Sequence, residues 1–287
     1  MSTLDHKVDF AVVLSVIKAN PNGDPLNGNR PRQNYDGYGE ISDVALKRKI
    51  RNRLQDMGEP IFVQSNDRTV DGYKSLRERA DANPELNKIM KDKKRTDDEF
   101  AKLACKEWID VRSFGQVFAF KGASSGTGVS VGVRGPVSIH TATSIDSIDI
   151  TSMQITKSTN SEAGSDRGSD TMGMKHRVDF GVYVFYGSIN TQLAEKTGFT
   201  NEDAAKLKQA LVTLFENDTS SARPEGSMEV HQVYWWAHNS KLGQYSSAKV
   251  HRALQIEKNT TEPKRYEDYK ITLNQLDGLK VDVLDGL

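Results

Sequence analysis

Two long β-prone runs limit what this chain can become. Val8 to Lys18 reads VDFAVVLSVIK, a β-branched run of strand length. Far downstream, the stretch after His176 reads RVDFGVYVFYGSI, alternating through Val178, Phe180, Val182, Val184 and Tyr186. A chain carrying two such runs has to build a sheet around them. The first run stops at Asn20-Pro21-Asn22-Gly23-Asp24-Pro25, a composition that only a loop accommodates.

Helical patterning fills the space between the strands. Ser42 stands where an N-cap belongs, Asp43 suits the positive end of the helix dipole, and Leu46, Ile50, Leu54 and Met57 recur at helical spacing before Gly58. Ile61-Phe62-Val63 reads as a short strand. From about Asn66 to Lys106 the chain is charged and helix-forming, with Lys91, Lys93, Lys94 and Arg95 gathered around Asp92. Gly122 to Gly135 is rich in glycine and serine, Val137 to Ile155 is β-prone, and Thr156 to Met174 is polar with almost nothing to bury. A second helix is expected over about Asn201 to Glu216, with Ala204, Leu207, Leu211, Leu214 and Phe215 as its buried stripe, and another strand over Met228 to Trp236.

With the insertions set aside, the order is strand, helix, strand, strand, helix, strand. That order is the ferredoxin-like arrangement of an α+β protein, which RNA-recognition modules also use. The expected division is 1–64, 121–138 and 176–240 for this RRM-like palm, 65–120 for a helical insertion, 139–175 for a second insertion, and 241–287 for a C-terminal segment packing on the palm.

Composition narrows the function classes. At 287 residues the chain can bury a sizeable core, yet only 36% of it is hydrophobic and 27% is charged, so much of it lies on surface or in excursions. With 39 basic and 39 acidic residues, a nucleic-acid role rests on how charge is distributed. The N-terminus lacks the pattern of a signal peptide, and no apolar run approaches the ~18 residues of a membrane helix, so the expected location is the cytoplasm. Cys105 is the only cysteine, which excludes an internal disulfide and multi-cysteine zinc patterns; beside Leu103, Ala104 and Trp108 it reads as core.

Charge distribution does point somewhere. Between Arg30 and Arg53 there are seven basic residues against three acidic ones. Helical phase places Lys47, Arg48 and Arg51 on one solvated arc, with Arg30 and Arg32 in the loop just upstream. Such a patch neutralises phosphates, and arginine also stacks on unpaired bases; an ordinary solvated helix face explains the same residues. Phe180 to Phe185 has some of the character of the aromatic strand of RNA-recognition modules, but a sheet covered on both sides accounts for it equally well. Gly126-Thr127-Gly128 leads into Val133-Arg134-Gly135-Pro136 and not into a helix, which rules out a dinucleotide-binding turn. The six histidines, His6, His140, His176, His231, His238 and His251, show no ligand pairing at short spacing, and no metal or cofactor is expected. Asp24 and Asp36 in the loop, and Asp146 and Asp149 further on, are the only carboxylates placed for metal-dependent cleavage, and turn formation explains the first pair as well.

Several segments in order resemble one family, the Cas-seven backbone subunit of type I CRISPR Cascade, most closely its I-C subtype. They are Asn20 to Pro25 with Asn29-Arg30-Pro31-Arg32; Ile41 to Val44 with Leu46 to Arg51; Asp110 to Gly115; Arg134 to Val137; Ser144-Ile145-Asp146; Met172 to His176; and His238 to Lys241. The resemblance implies a palm, helical fingers and a protruding β-hairpin thumb. It implies that copies bind head to tail along the crRNA and leave bases free to pair with target DNA. Other Cascade subunits, a guide-processing subunit and a large subunit, and a recruited helicase-nuclease are the implied partners, and no catalysis is implied for this chain. The expected RNA contacts are Asn22, Arg30, Arg32, Lys47, Arg48, Arg51, Arg134, Met172, Met174, Lys175 and His176, with Met172 and Met174, at the end of the polar excursion, the apolar tips to wedge between bases. A related type III backbone subunit with a loop aspartate cutting RNA, here Asp24 or Asp36, is the alternative.

Overall fold

The computed structural model describes residues 2–92, 96–120, 129–159 and 172–287. Lys93, Lys94 and Arg95, the Gly126-Thr127-Gly128 segment and the middle of the polar tract lie outside the described residues. In chain order the first elements are β1 (Val8–Ala19), the short pair β2 (Gly23–Asp24) and β3 (Arg30–Pro31), β4 (Tyr38–Ile41) and α1 (Asp43–Asp56). Four helices follow: α2 (Leu76–Ala82), α3 (Pro84–Lys91), α4 (Asp97–Glu107) and α5 (Ile109–Phe114). Then come β5 (Gly115–Phe120), β6 (Val129–Arg134), β7 (Val137–Ile139), β8 (Ala142–Ser147), β9 (Ile150–Thr156) and β10 (Met172–Ile189). The chain ends with α6 (Thr191–Thr197), α7 (Asn201–Val212), β11 (Met228–Ala237), α8 (Ser247–His251), β12 (Leu254–Lys258), β13 (Tyr269–Leu273) and β14 (Val281–Asp285).

The two runs that stand out in the sequence become the central strands. β1 pairs antiparallel with β10 from Val8 opposite Ile189 to Ala19 opposite Val178, and with β11 on its other side. β7 and β8 take the far edge of β10, so β11, β1, β10 and β7/β8 give the ferredoxin-like order within an α+β fold, with β14 and β4 extending the two ends. Alternation sends each strand's residues to two faces. On one face Val8, Phe10, Val12 and Leu14 of β1 meet Tyr183, Phe185 and Ile189 of β10 under Leu46, Ile50 and Leu54 of α1 and Leu207 and Leu211 of α7. On the other, Ala11, Val13, Val182, Tyr234 and Trp236 are covered by Val250, Leu254, Tyr269 and Leu279 of the C-terminal segment.

The helices start where their capping residues stand. The Ser42 side chain accepts from the Ala45 amide at the head of α1, and Thr200 and Asp203 form a reciprocal capping box at the head of α7. Two expectations change. Ile61-Phe62-Val63 forms no strand. Its amides at Phe62 and Val63 donate to buried Asp110 at 2.8 and 3.0 Å, and the Phe62 ring packs on Trp108 and Phe118, so a side chain satisfies the donors that a ladder would have used. Among the described residues β5 and β6 pair only with each other, and they share an apolar layer of Phe100, Phe118, Val129 and Val131 with α2 to α4. An expected division between residues 120 and 121 therefore cuts this hairpin, whose two strands bury their apolar faces on the helices and not on the main sheet. The crossing back to the palm is tight: a Cβ on Gly135 would sit 2.3 Å from the Ser113 carbonyl oxygen and 2.5 Å from the Gly115 nitrogen. Among the described residues no helix is long and apolar enough to cross a membrane.

Candidate nucleic-acid interface

The loop between β1 and α1 is held by its own polar groups. Asn20 donates to the Asn29 carbonyl at 2.7 Å, and the Asn29 amide donates to the Asp24 carbonyl at 2.8 Å. Asp24 caps a short turn by accepting from the Leu26 amide, with Gly28 and Asn29 both in the left-handed region behind it. Asn22 is structural in the same way, because its Oδ1 accepts from the Ser42 amide at 2.9 Å and ties the loop to the start of α1. Arg32 lies 3.5 Å from the Asp24 carboxylate.

Arg30 carries the loop across to a second element. Its Nη1 donates to Ser152 Oγ at 2.9 Å, and that hydroxyl lies 2.8 Å from His176 Nδ1. Ser152 and His176 face each other in the β9–β10 register, which continues outward through Met174 opposite Gln154 and Met172 opposite Thr156. Alternate positions share a face, so His176, Met174 and Met172 line one side of the hairpin and Lys175 lies on the other. Met172 and Met174 are 63% and 54% exposed, high for thioethers that could have been packed. From Met172 to Arg177, β10 pairs with β9 but not with β1, so this hairpin extends past the end of β1.

The helix cations behave differently from the expected solvated arc. Arg51 donates to buried Asp110 at 3.0 Å and lies over the Phe114 ring, and Arg48 donates to the Val63 carbonyl at 2.6 Å. Burial, then the neighbouring Arg51, holds the Arg48 guanidinium below its ordinary value. Lys47 pairs with Asp43 one turn back, Lys49 is buried against Asp218, and Arg53 donates to Thr213. The physical reason for Arg48 and Arg51 is that the 61–63 segment and α5 pack against them, which helical phase within α1 could not reveal. Arg134 is exposed at the end of β6, opposite Gly115. The structure thus joins Arg30 to His176 through Ser152, keeps Asn22 and Arg32 in the same loop and Met172 and Met174 on the same hairpin face, and commits Arg48 and Arg51 to internal contacts. Ser152 was missed by sequence reasoning. Its only signal was its place opposite His176, which requires the register.

Other candidates resolve as packing. Phe180 and Tyr186 lie under the C-terminal segment, Tyr186 stacked on His251 at 4.8 Å, so the face that RNA-recognition modules leave open is closed here. Cys105 is buried and its thiol is pushed up to about 12 by burial, far from a nucleophile's range. His238 bonds buried Asp9 at 2.8 Å and His251 the Gly187 carbonyl at 3.2 Å. Among the described residues no group of three or more His, Cys, Asp or Glu side chains converges to hold a metal. Asp24 caps its turn, and Asp146 pairs with Lys258 at 2.8 Å.

The family model for CRISPR-associated protein Cas7 matches residues 6–274. A CRISPR-associated protein Cas7 from Haloferax volcanii is 26% identical over 244 residues, covering 77% of this chain and 67% of the relative. Among solved structures, a chain of a "CRISPR RNA-guided surveillance complex" is 16% identical with a TM-score of 0.46, covering 80% of this chain and 68% of that one. A chain of a complex titled "CRISPR RNA-guided surveillance complex, pre-nicking" is 17% identical with a TM-score of 0.49, covering 80% and 75%. With its ferredoxin-like core and nearly its whole length matched, the chain belongs to the CRISPR-associated protein Cas7 family.

Proposed function

We propose that this chain is the crRNA-binding backbone subunit of a type I-C CRISPR surveillance complex. Copies bind head to tail along the guide and hold its sugar-phosphate chain, while exposed bases pair with target DNA. Base pairing then reads sequence and the protein reads backbone. The observation that carries this is the junction of Arg30, Ser152 and His176. It sets a cation and an imidazole beside a hairpin face with two exposed methionines, as phosphate binding next to base unstacking would require. Family membership supports the assembly, and the ordered sequence motifs support the I-C subtype. On this reading guide processing, the large-subunit role and target cutting by a helicase-nuclease belong to partners, and the chain acts in the cytoplasm without catalysis or cofactor.

Binding of single-stranded RNA across a salt series tests the reading. Arg30→Ala with His176→Ala should weaken binding to unrelated sequences alike, and each lost phosphate contact should flatten the salt dependence by about one unit of slope at most. Arg48→Ala should act mainly on stability, because that guanidinium serves the Val63 carbonyl. Unchanged affinity and slope in the Arg30/His176 variant would reject the interface. Labelled RNA incubated with magnesium or manganese should stay intact; cleavage abolished by Asp24→Ala or Asp36→Ala would establish the nuclease alternative.

A further inference from the structure

A cavity of about 450 Å³ lies between α4 of the finger layer and α6 and α7 of the palm. None of the Asn22, Arg30, Ser152 or His176 group lines it. Its wall carries three acids, and each has a cation beside it: Asp203 holds Arg112 through two hydrogen bonds of 2.9 and 2.7 Å, Glu202 lies 3.1 Å from Lys206, which also pairs with Glu59 at 2.9 Å, and Glu195 pairs with Lys241. Lys102 and Lys106, one turn apart on α4, and Lys196 near the end of α6 also line the cavity, and they pair with no acid among the described residues. Three ammonium groups without an ion-pair partner among the described residues therefore line one concavity, in a chain whose formal net charge is zero. Thr197, also on the wall, is only 6% exposed, and its hydroxyl has no hydrogen-bond partner among the described residues. An unpaired buried hydroxyl costs free energy that a partner oxygen would recover. The volume falls within the range of small-ligand sites, and no aromatic ring lines it to stack on a base.

We propose that this cleft binds a small polyphosphate, either inorganic pyrophosphate or the polyphosphate tail of a nucleotide. Compact ammonium groups lining a partly enclosed site suit a multiply charged phosphate, and the lack of a stacking surface makes the phosphates, not the base, the recognised part. Because α4 belongs to the finger layer and α6 and α7 to the palm, a bound polyphosphate links the two beside the Arg112–Asp203 pair and stiffens their junction.

Titration calorimetry and thermal melting of the full chain with pyrophosphate, ATP and adenosine test this. Pyrophosphate and ATP should both bind and raise the melting temperature, and adenosine should do neither. Lys102→Ala, Lys106→Ala and Lys196→Ala together should weaken both by about tenfold or more. A charge-matched variant, Lys74→Ala, Lys264→Ala and Lys280→Ala, should bind as the unaltered chain does, as should Arg30→Ala with His176→Ala. All six lysines are exposed, so neither triple variant threatens the fold. Equal loss in the two lysine variants would reduce the effect to net charge and overturn the proposal. So would binding of adenosine equal to that of ATP, absence of pyrophosphate binding, or loss confined to the Arg30/His176 variant, which would assign the anion to the nucleic-acid interface.

Discussion

Lys49 shows how a single buried cation can be costly even when paired. It is 5% exposed against Asp218, which Arg223 also approaches at 3.2 Å. Burial pushes the Lys49 ammonium down to about 8, outweighing the pull of Asp218. An unfolded chain holds that proton up to 10.5 while the fold releases it near 8, so the penalty is fully present at neutral pH and fades as pH rises through that window. Lys49→Met removes the penalty and leaves Arg223 on Asp218. Urea unfolding at pH 7 should show a gain on the order of 1 kcal/mol, and the gain should shrink by pH 10. Asp110 is the opposite case: fully buried, it accepts from two backbone amides and Arg51. Asp110→Ala strands all three donors and should destabilise by about 3–5 kcal/mol in the same assay.

Among the elements, the outer part of β10 and the turn at Gly135 make opposite predictions. Met172 and Met174 bury little, so Met172→Ser with Met174→Ser should leave the melting temperature unchanged. On the proposed function it should alter the periodic reactivity of bound guide bases to chemical probes; an unchanged pattern would remove the methionines from the interface. Gly135 has no such freedom, because an added Cβ meets the backbone at Ser113, Phe114 and Gly115. Gly135→Ala should lower the melting temperature sharply, since rigid main chain on both sides cannot yield. This explains physically why Asp110 to Gly115 and Arg134 to Val137 both stood out as motifs: they are the two sides of one crossing.

Acid sensitivity belongs to the whole molecule, because its histidines bridge distant segments. Burial holds His251 below its ordinary value against the pull of Asp9, and holds His231 below it against Glu229 and Glu267. His231 stacks on Tyr266 with ring centres 3.7 Å apart and bonds Ser15 at 2.9 Å. In both cases the unfolded chain takes up protons near pH 6.5 that the fold resists, so stability is full above that pH and falls below it. The melting temperature should drop between pH 7.5 and 5.5, and His231→Gln, which can still reach Ser15, should reduce the drop. Asp9 acts in a lower window. Burial raises it, but His238, Ser247 and Lys7 together hold it below 3.8, so its contribution is lost only in stronger acid.

Local sequence fixed what local forces control. The β-branched runs became β1 and β10, Ser42 and Thr200 began their helices, and element order led to the ferredoxin-like palm, because strand period, capping and chain order act over a few residues at a time. The candidate interface was legible only in part. Arg30, His176 and the two methionines were named in advance, but the hydroxyl of Ser152 that joins them appears only once β9 meets β10 in register. Arg48 and Arg51 are not free for the same reason, since a helix's own phase cannot say that Val63 and Asp110, folded in from later segments, will claim its cations. Tertiary packing alone decided which charges face one another, which sheet face the C-terminal segment closes, and where three lysines surround a cavity, because each depends on residues far apart in the chain.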